Sequence, residues 1–205
     1  MNTSERLRKY FVMGSQDCDR DPLVVLDEAI AAGITAFQYR EKGRRALAGG
    51  AKYKFGERLK ERCNKAGVWF IVNDDLDLYQ SLGADGIHVG QQDQSVSFIR
   101  EAYPQAFIGL SVSNQEQLQG SPLTLVDYLG IGPIFPTNTK EDADPVVGPE
   151  WIREVKSQHP SIPLVGIGGI HAGNAYEVME AGADGVAVVS AISKARDINL
   201  VVRQL

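Results

Sequence analysis

The chain has 205 residues, 43% hydrophobic and 23% charged, with a net charge of −5. This is the balance of a soluble globular protein of one domain, residues 1–205, large enough to bury a core. It excludes a nucleic-acid footprint, because no basic run opposes the acidic balance. It also excludes a membrane-spanning helix, because no apolar run nears the roughly 18 residues that one needs. The opening MNTSERLRKY lacks the apolar core of a signal peptide. Cys18 and Cys63 fit neither a metal-ligand spacing nor a disulfide framework, so a reducing cytoplasm is expected.

Eight short apolar runs recur along the chain, at 10–13, 36–39, 69–72, 86–89, 107–112, 128–131, 164–167 and 185–189. Segments of helical length lie between them, among them 22–32, 46–66 and 172–181. This alternation predicts βα units around a parallel sheet. Eight units with no ninth fit a closed α/β barrel, a (β/α)8 TIM barrel of minimal size, since such barrels rarely fall below about 200 residues. Gly-Ala-Asp-Gly occurs twice, at 83–86 and 182–185, before the fourth and eighth strands. Asp85, Asp184 and Asp127 then sit at strand entrances, the face of a barrel that serves stability, and are expected to be structural.

Catalysis in such a barrel belongs to the strand exits. After the second strand, Gln38, Arg40 and Lys42 share one face by alternation, leaving Phe37 and Tyr39 to pack under helices. Two cations there make either an anion site or a solvated strand end. The third strand runs into Asn73-Asp74-Asp75, and the fourth into a loop carrying Asp93. These acids suit helix caps, yet two carboxylates on adjacent exits also suit Mg²⁺, which takes one or two carboxylates with water and phosphate oxygens. His88 lies mid-strand and is expected to be a satisfied interior histidine.

The fifth strand ends at Ser111. The sixth leads into the longest non-periodic stretch, 132–148, where Thr137, Thr139 and Lys140 suit phosphate or pyrophosphate oxygens. The seventh ends in Gly168-Gly169 and the eighth in Val189-Ser190. Glycines at one exit and the start of a short helix at the next form a phosphate grip common in barrels.

The strings QYREK, VND, DGIHVGQQD, GLSVSN, YLGIGPIFPTNTK, VGIGGI and GVAVVSAI, in this order, resemble the thiamine phosphate synthase family. The resemblance runs from about Gln38 to Ile192. It implies a transferase that joins hydroxymethylpyrimidine diphosphate to thiazole phosphate and releases pyrophosphate. It also implies that Gln38, Arg40, Lys42 and Asn73 contact the pyrimidine diphosphate, with Ser111 and Lys140 on its diphosphate side. Asp74 and Asp93 would hold Mg²⁺. Thr137 and Thr139 would face the thiazole phosphate, whose phosphate would rest on Gly169, Val189 and Ser190. Asp75 stands where that family usually carries arginine, and Tyr79 where a small residue is usual. The implied chemistry needs no protein nucleophile, and no nucleophile–base pair is evident.

The nearest rival is a thiazole tautomerase, which is expected to use a histidine near the fifth strand exit. Here Ser113 stands at that place. A non-catalytic regulator that only binds thiazole phosphate would not need Arg40, Lys42, Asp74, Asp93 and Lys140. The expected partners are two small substrates, with no nucleic acid and no membrane. Association into homodimers is compatible with these features and not required by them.

Overall fold

The computed structural model describes residues 2–137, 139 and 144–205. Eight parallel strands close into a barrel in sequence order: β1 (Lys9–Met13), β2 (Ala36–Tyr39), β3 (Trp69–Asn73), β4 (Gly86–Val89), β5 (Phe107–Val112), β6 (Tyr128–Ile131), β7 (Leu164–Ile167) and β8 (Gly185–Val188). The expected TIM barrel is therefore present, with strand limits within one residue of those read from the apolar runs. Ten α-helices lie in the described residues. They are α1 (Thr3–Leu7), α2 (Pro22–Ala32), α3 (Gly49–Ala66), α4 (Leu76–Leu82), α5 (Val96–Ala102), α6 (Gln115–Gly120), α7 (Gly148–Gln158), α8 (Ala175–Glu180), α9 (Ser190–Ser193) and α10 (Ile198–Gln204).

Local chemistry explains the boundaries. In α2, Asp21 caps the first turn by accepting from the Leu23 N–H, Pro22 opens the helix and Gly33 ends it in the left-handed region. Two helix starts differ from the sequence expectation. α3 begins at Gly49 rather than at 46, because the buried Glu41 carboxylate accepts the Leu47 N–H (2.7 Å) and holds that segment as a turn. α8 begins at Ala175 rather than at 172, because Asn174 Oδ1 accepts the His171 N–H (2.8 Å) in a side-chain-closed turn.

Side chains alternate strictly along the strands. Phe37, Tyr39, Phe70 and Val72 pack outward into the helix layer. Tyr10, Val12, Ala36, Ile71, Tyr128, Val165 and Ala187 point inward, with Leu7 of α1 beneath them closing the entrance end.

The three entrance aspartates behave as expected. Asp85 Oδ2 accepts the Phe70 N–H, Asp127 Oδ2 the Ile108 N–H (both 2.8 Å) and Asp184 Oδ2 the Leu164 N–H (2.9 Å). Each stitches the start of one strand to the start of the strand before it. Arg100 pairs with Asp127 (2.8 Å) and Lys156 with Asp184 (2.9 Å). Burial works against the Asp184 charge, but the Leu164 N–H, Lys156 and Ser4 together hold its pKa below the usual carboxylate value.

Candidate active site

The strand exits enclose a cavity of about 510 Å³ that opens beside a polar groove of about 890 Å³. Gln38, Arg40 and Lys42 reach it from the exit of β2, and Asn73 and Asp74 from β3. Asp93 comes from the loop after β4, and Ser111 from β5. Thr137 and Thr139 follow β6, Gly169 follows β7, and Val189 and Ser190 follow β8. Every sequence-expected site residue that is described thus lines one cavity. Lys140 lies outside the described residues. Arg44 and Arg45 line the adjoining groove, which shares Arg40, Lys42 and Asp93 with the cavity.

The exit of β2 is held from both sides. Glu41, on the face opposite Arg40 and Lys42, is only 7% exposed. It accepts from the Ser15 N–H (2.9 Å), the Ser15 hydroxyl (2.5 Å) and the Leu47 N–H. Arg40 and Lys42 are thereby aimed into the mouth by a buried acid between them in sequence. The Lys42 ammonium contacts Asp74 Oδ2 and lies 3.9 Å from Asp93 Oδ1. Burial raises the pKa of Asp74 above the usual carboxylate value; Lys42 opposes that shift, and the nearby Asp93 adds to it. Asp74 also adopts a positive φ of 50°, a conformation costly for a residue with a side chain and typical of functional sites. The pair of carboxylates already accommodates one cation, so a divalent ion is chemically at home there. Among the described residues, no group of three or more His, Cys, Asp or Glu side chains forms a denser metal site.

Asp75, next in the chain, behaves differently. It caps α4 by accepting the Leu78 N–H (2.9 Å) and pairs with Lys52 (2.7 Å). It therefore sits outside the cavity, as a cap. Tyr79 also faces away, with its ring edge-on to Tyr103 at 5.3 Å.

Opposite the charged half, Gly168 and Gly169 take φ values of 97° and 65°. A side chain on Gly168 would strike Pro133, and one on Gly169 would strike Phe135 and the Pro136 carbonyl. The loop after β6 lies directly on this turn, with the Ile134 N–H donating to Ile167 O (2.9 Å) and the Phe135 N–H to Gly168 O (3.0 Å). The first residues of α9 complete this wall.

The cavity also contains residues not expected from the sequence: Tyr10, Tyr128, Asp144 and His171. Tyr10 and Tyr128 were readable in principle, since both point inward by strand alternation. Asp144 lines it while accepting from the Ser113 hydroxyl (2.8 Å), 31 residues away. His88 is satisfied on both ring nitrogens, by Tyr128 (2.8 Å) and Ser111 (2.9 Å), as expected of an interior histidine.

A family model described as thiamine monophosphate synthase matches residues 9–192. The chain is 56% identical over 199 residues to the thiamine-phosphate synthase of Oceanobacillus iheyensis, covering 97% of each. It is 50% identical to that of Anoxybacillus flavithermus, over 95% of this chain and 89% of the relative. The solved thiamine phosphate pyrophosphorylase of Pyrococcus furiosus superposes with a TM-score of 0.87 at 30% identity, over 100% of this chain and 96% of that one. A 3-hexulose-6-phosphate synthase, at 14% identity and a TM-score of 0.63 over 96% and 97% of the two chains, shares the fold alone. The match begins at the first residue of β1 and ends inside α9, so it spans the whole barrel and both walls of the cavity: the chain belongs to the thiamine monophosphate synthase family.

Proposed function

We propose that the protein condenses hydroxymethylpyrimidine diphosphate with a thiazole phosphate, forming thiamine phosphate and releasing pyrophosphate. The observation that carries this reading is the two-sided cavity. A cationic, carboxylate-bearing half faces a glycine-lined half across a single space. One half suits a leaving diphosphate, the other a retained phosphate.

In this reading Gln38 and Asn73 hold the pyrimidine diphosphate, and Arg40, Lys42, Ser111 and Lys140 receive its diphosphate. The C–O bond breaks first, and pyrophosphate departs with the electron pair. The pyrimidinylmethyl cation left behind is stabilised by its own electron-rich aminopyrimidine ring. The thiazole nitrogen then donates its lone pair to form the C–N bond. Thr137 and Thr139 face the thiazole phosphate, and Gly169, Val189 and Ser190 hold its phosphate. The protein's contribution is positioning and charge stabilisation, with no covalent protein intermediate.

Asp74 and Asp93 would hold Mg²⁺, which when bound neutralises charge on the leaving diphosphate. The partners are then the two small substrates, acting on one barrel domain that spans residues 1–205. Such metabolites place the reaction in the cytoplasm, and homodimers remain compatible with it. Among the described residues, no helix is long and apolar enough to cross a membrane. The tautomerase and regulator readings gain no support, because Ser113 donates its hydroxyl to Asp144 and the charged half has no work in a thiazole-phosphate binder.

The test is incubation with both substrates and Mg²⁺, with and without EDTA, and assay of thiamine phosphate and pyrophosphate. Both products in equal amounts are expected, and EDTA should abolish them. Absence of product with Mg²⁺ would overturn the reading; product indifferent to EDTA would remove the metal from it.

A further inference from the structure

Five polar side chains form one hydrogen-bonded line across the barrel interior. Gln38 Nε2 donates to the Tyr10 hydroxyl (3.0 Å), which lies 3.0 Å from the Tyr128 hydroxyl. The Tyr128 hydroxyl lies 2.8 Å from His88 Nδ1, and His88 Nε2 lies 2.9 Å from Ser111 Oγ. The five residues come from β2, β1, β6, β4 and β5. Gln38, Tyr10 and Tyr128 are 5%, 2% and 1% exposed, so that end of the line is shielded from bulk water, while His88 and Ser111 are partly exposed to the cavity. Gly109 and Gly130 make room for it: a side chain on the first would collide with Tyr128 and His88, and on the second with His88.

The line holds few protons, and counting them fixes its direction. Burial lowers the pKa of His88 to about 4, so its ring is neutral near pH 7 and carries one N–H. Each tyrosine has one proton. When Gln38 Nε2 donates to Tyr10, the Tyr10 proton must go to Tyr128 and the Tyr128 proton to His88 Nδ1. The His88 proton then sits on Nε2 and goes to Ser111, and the Ser111 proton is left to point into the cavity. If the Gln38 amide turns over, every link reverses and Ser111 offers only lone pairs. A mixed arrangement leaves a buried hydroxyl proton without an acceptor, which is costly.

We propose that this line is a polarity relay, in which the amino group of a bound pyrimidine sets the Gln38 amide and thereby turns the Ser111 hydroxyl proton towards the diphosphate. The inference rests on the functional reading above, which places the pyrimidine at Gln38 and the diphosphate beside Ser111. An exocyclic amino group is a donor, so it engages Gln38 Oε1 and directs Nε2 to Tyr10. Tyr10, Tyr128 and His88 are then positioning residues that act through Ser111. A pyrimidine bearing an oxo group at the same place presents an acceptor and sets the relay the other way.

The direct test is ¹⁵N NMR of the imidazole of His88 in the full chain, free and with 4-amino-5-hydroxymethyl-2-methylpyrimidine as the probe. The relay requires the Nε2–H tautomer in the complex; an Nδ1–H tautomer there overturns it. The second test uses Tyr10→Phe and Tyr128→Phe, each checked for folding by thermal melting. Each folded variant should lose about 10- to 100-fold in kcat, the equivalent of one charge-assisted hydrogen bond, with KM for thiazole phosphate unchanged. Wild-type kcat in both folded variants would overturn the relay. Failure of the wild type to make thiamine phosphate would instead overturn the functional reading, while the tautomer would still report on the relay.

Discussion

At the strand entrances, Asp85, Asp127 and Asp184 each accept a backbone N–H from the neighbouring strand, and two of them also pair with a basic side chain. At the exits, Asp74 and Asp93 crowd around the single ammonium of Lys42. The pKa shifts follow the surroundings: Asp184 is held down by its partners, whereas burial drives Asp74 up. Both ends use the same side chain on similar strand-loop junctions. The entrance is arranged so that the folded protein satisfies its own charges. At the exit Asp74 and Asp93 also accept hydrogen bonds, from Asn73 Nδ2 (2.8 Å) and the Gly90 N–H (2.7 Å), but among the described residues the two carboxylates share one ammonium. Distance along the strand is not the whole rule, since Asp75 lies at an exit and is nevertheless a satisfied cap.

Substitutions separate the two roles. The largest effect is expected for Asp93→Ala, which should lower kcat/KM about 10²–10³-fold in a Mg²⁺ assay while costing only about 1 kcal/mol of stability, for the lost bond from the Gly90 N–H. A melting loss as large as the entrance variant's would erase the contrast. Next comes Asp184→Ala at the entrance, which deprives the Leu164 N–H and Lys156 of their acceptor. It should cost about 2 kcal/mol of stability, or roughly 4–8 °C in Tm, with kcat/KM at 25 °C preserved. Denaturant unfolding together with steady-state kinetics reads both quantities.

The Asp184 pair also predicts a pH dependence. Its folded-state pKa is lowered, so its stabilisation is present above the ordinary carboxylate pKa and is lost as pH falls through the depressed value. Asp184→Asn should flatten that part of the acid unfolding curve; an unchanged slope would show that the carboxylate's charge is not what stabilises the entrance. The smallest effect is expected for Asp75→Ala, about 1 kcal/mol from the lost cap with little change in kcat. A loss in kcat near that of Asp93→Ala would move Asp75 into the site.

Much of this was legible in the sequence because strand alternation and helix capping are local. Gln38, Arg40 and Lys42 share a face through nothing more than a period of two. Gly168-Gly169 could be placed at a tight turn because few other residues tolerate such backbone angles. The helix over 46–66 was read too long because its true start depends on Glu41, whose carboxylate turns back to Leu47 and across to Ser15, 26 residues away. His171 entered the site unannounced although its turn is local: Asn174, three residues on, closes it, and the helical period does not mark that cap.

The sequence by itself determined eight inward-facing strand stripes, their order, the glycine turn after β7, and which residues could reach the mouth. These follow from steric and hydrophobic preferences that act over a few residues. Only the tertiary structure decided which aspartates stitch neighbouring strands and which two share Lys42. It alone joined Tyr10 to Tyr128, 118 residues apart, and so linked Gln38 to Ser111 through His88. Hydrogen-bond partners on different strands are chosen by the closing of the barrel, and no local pattern in the chain carries that choice.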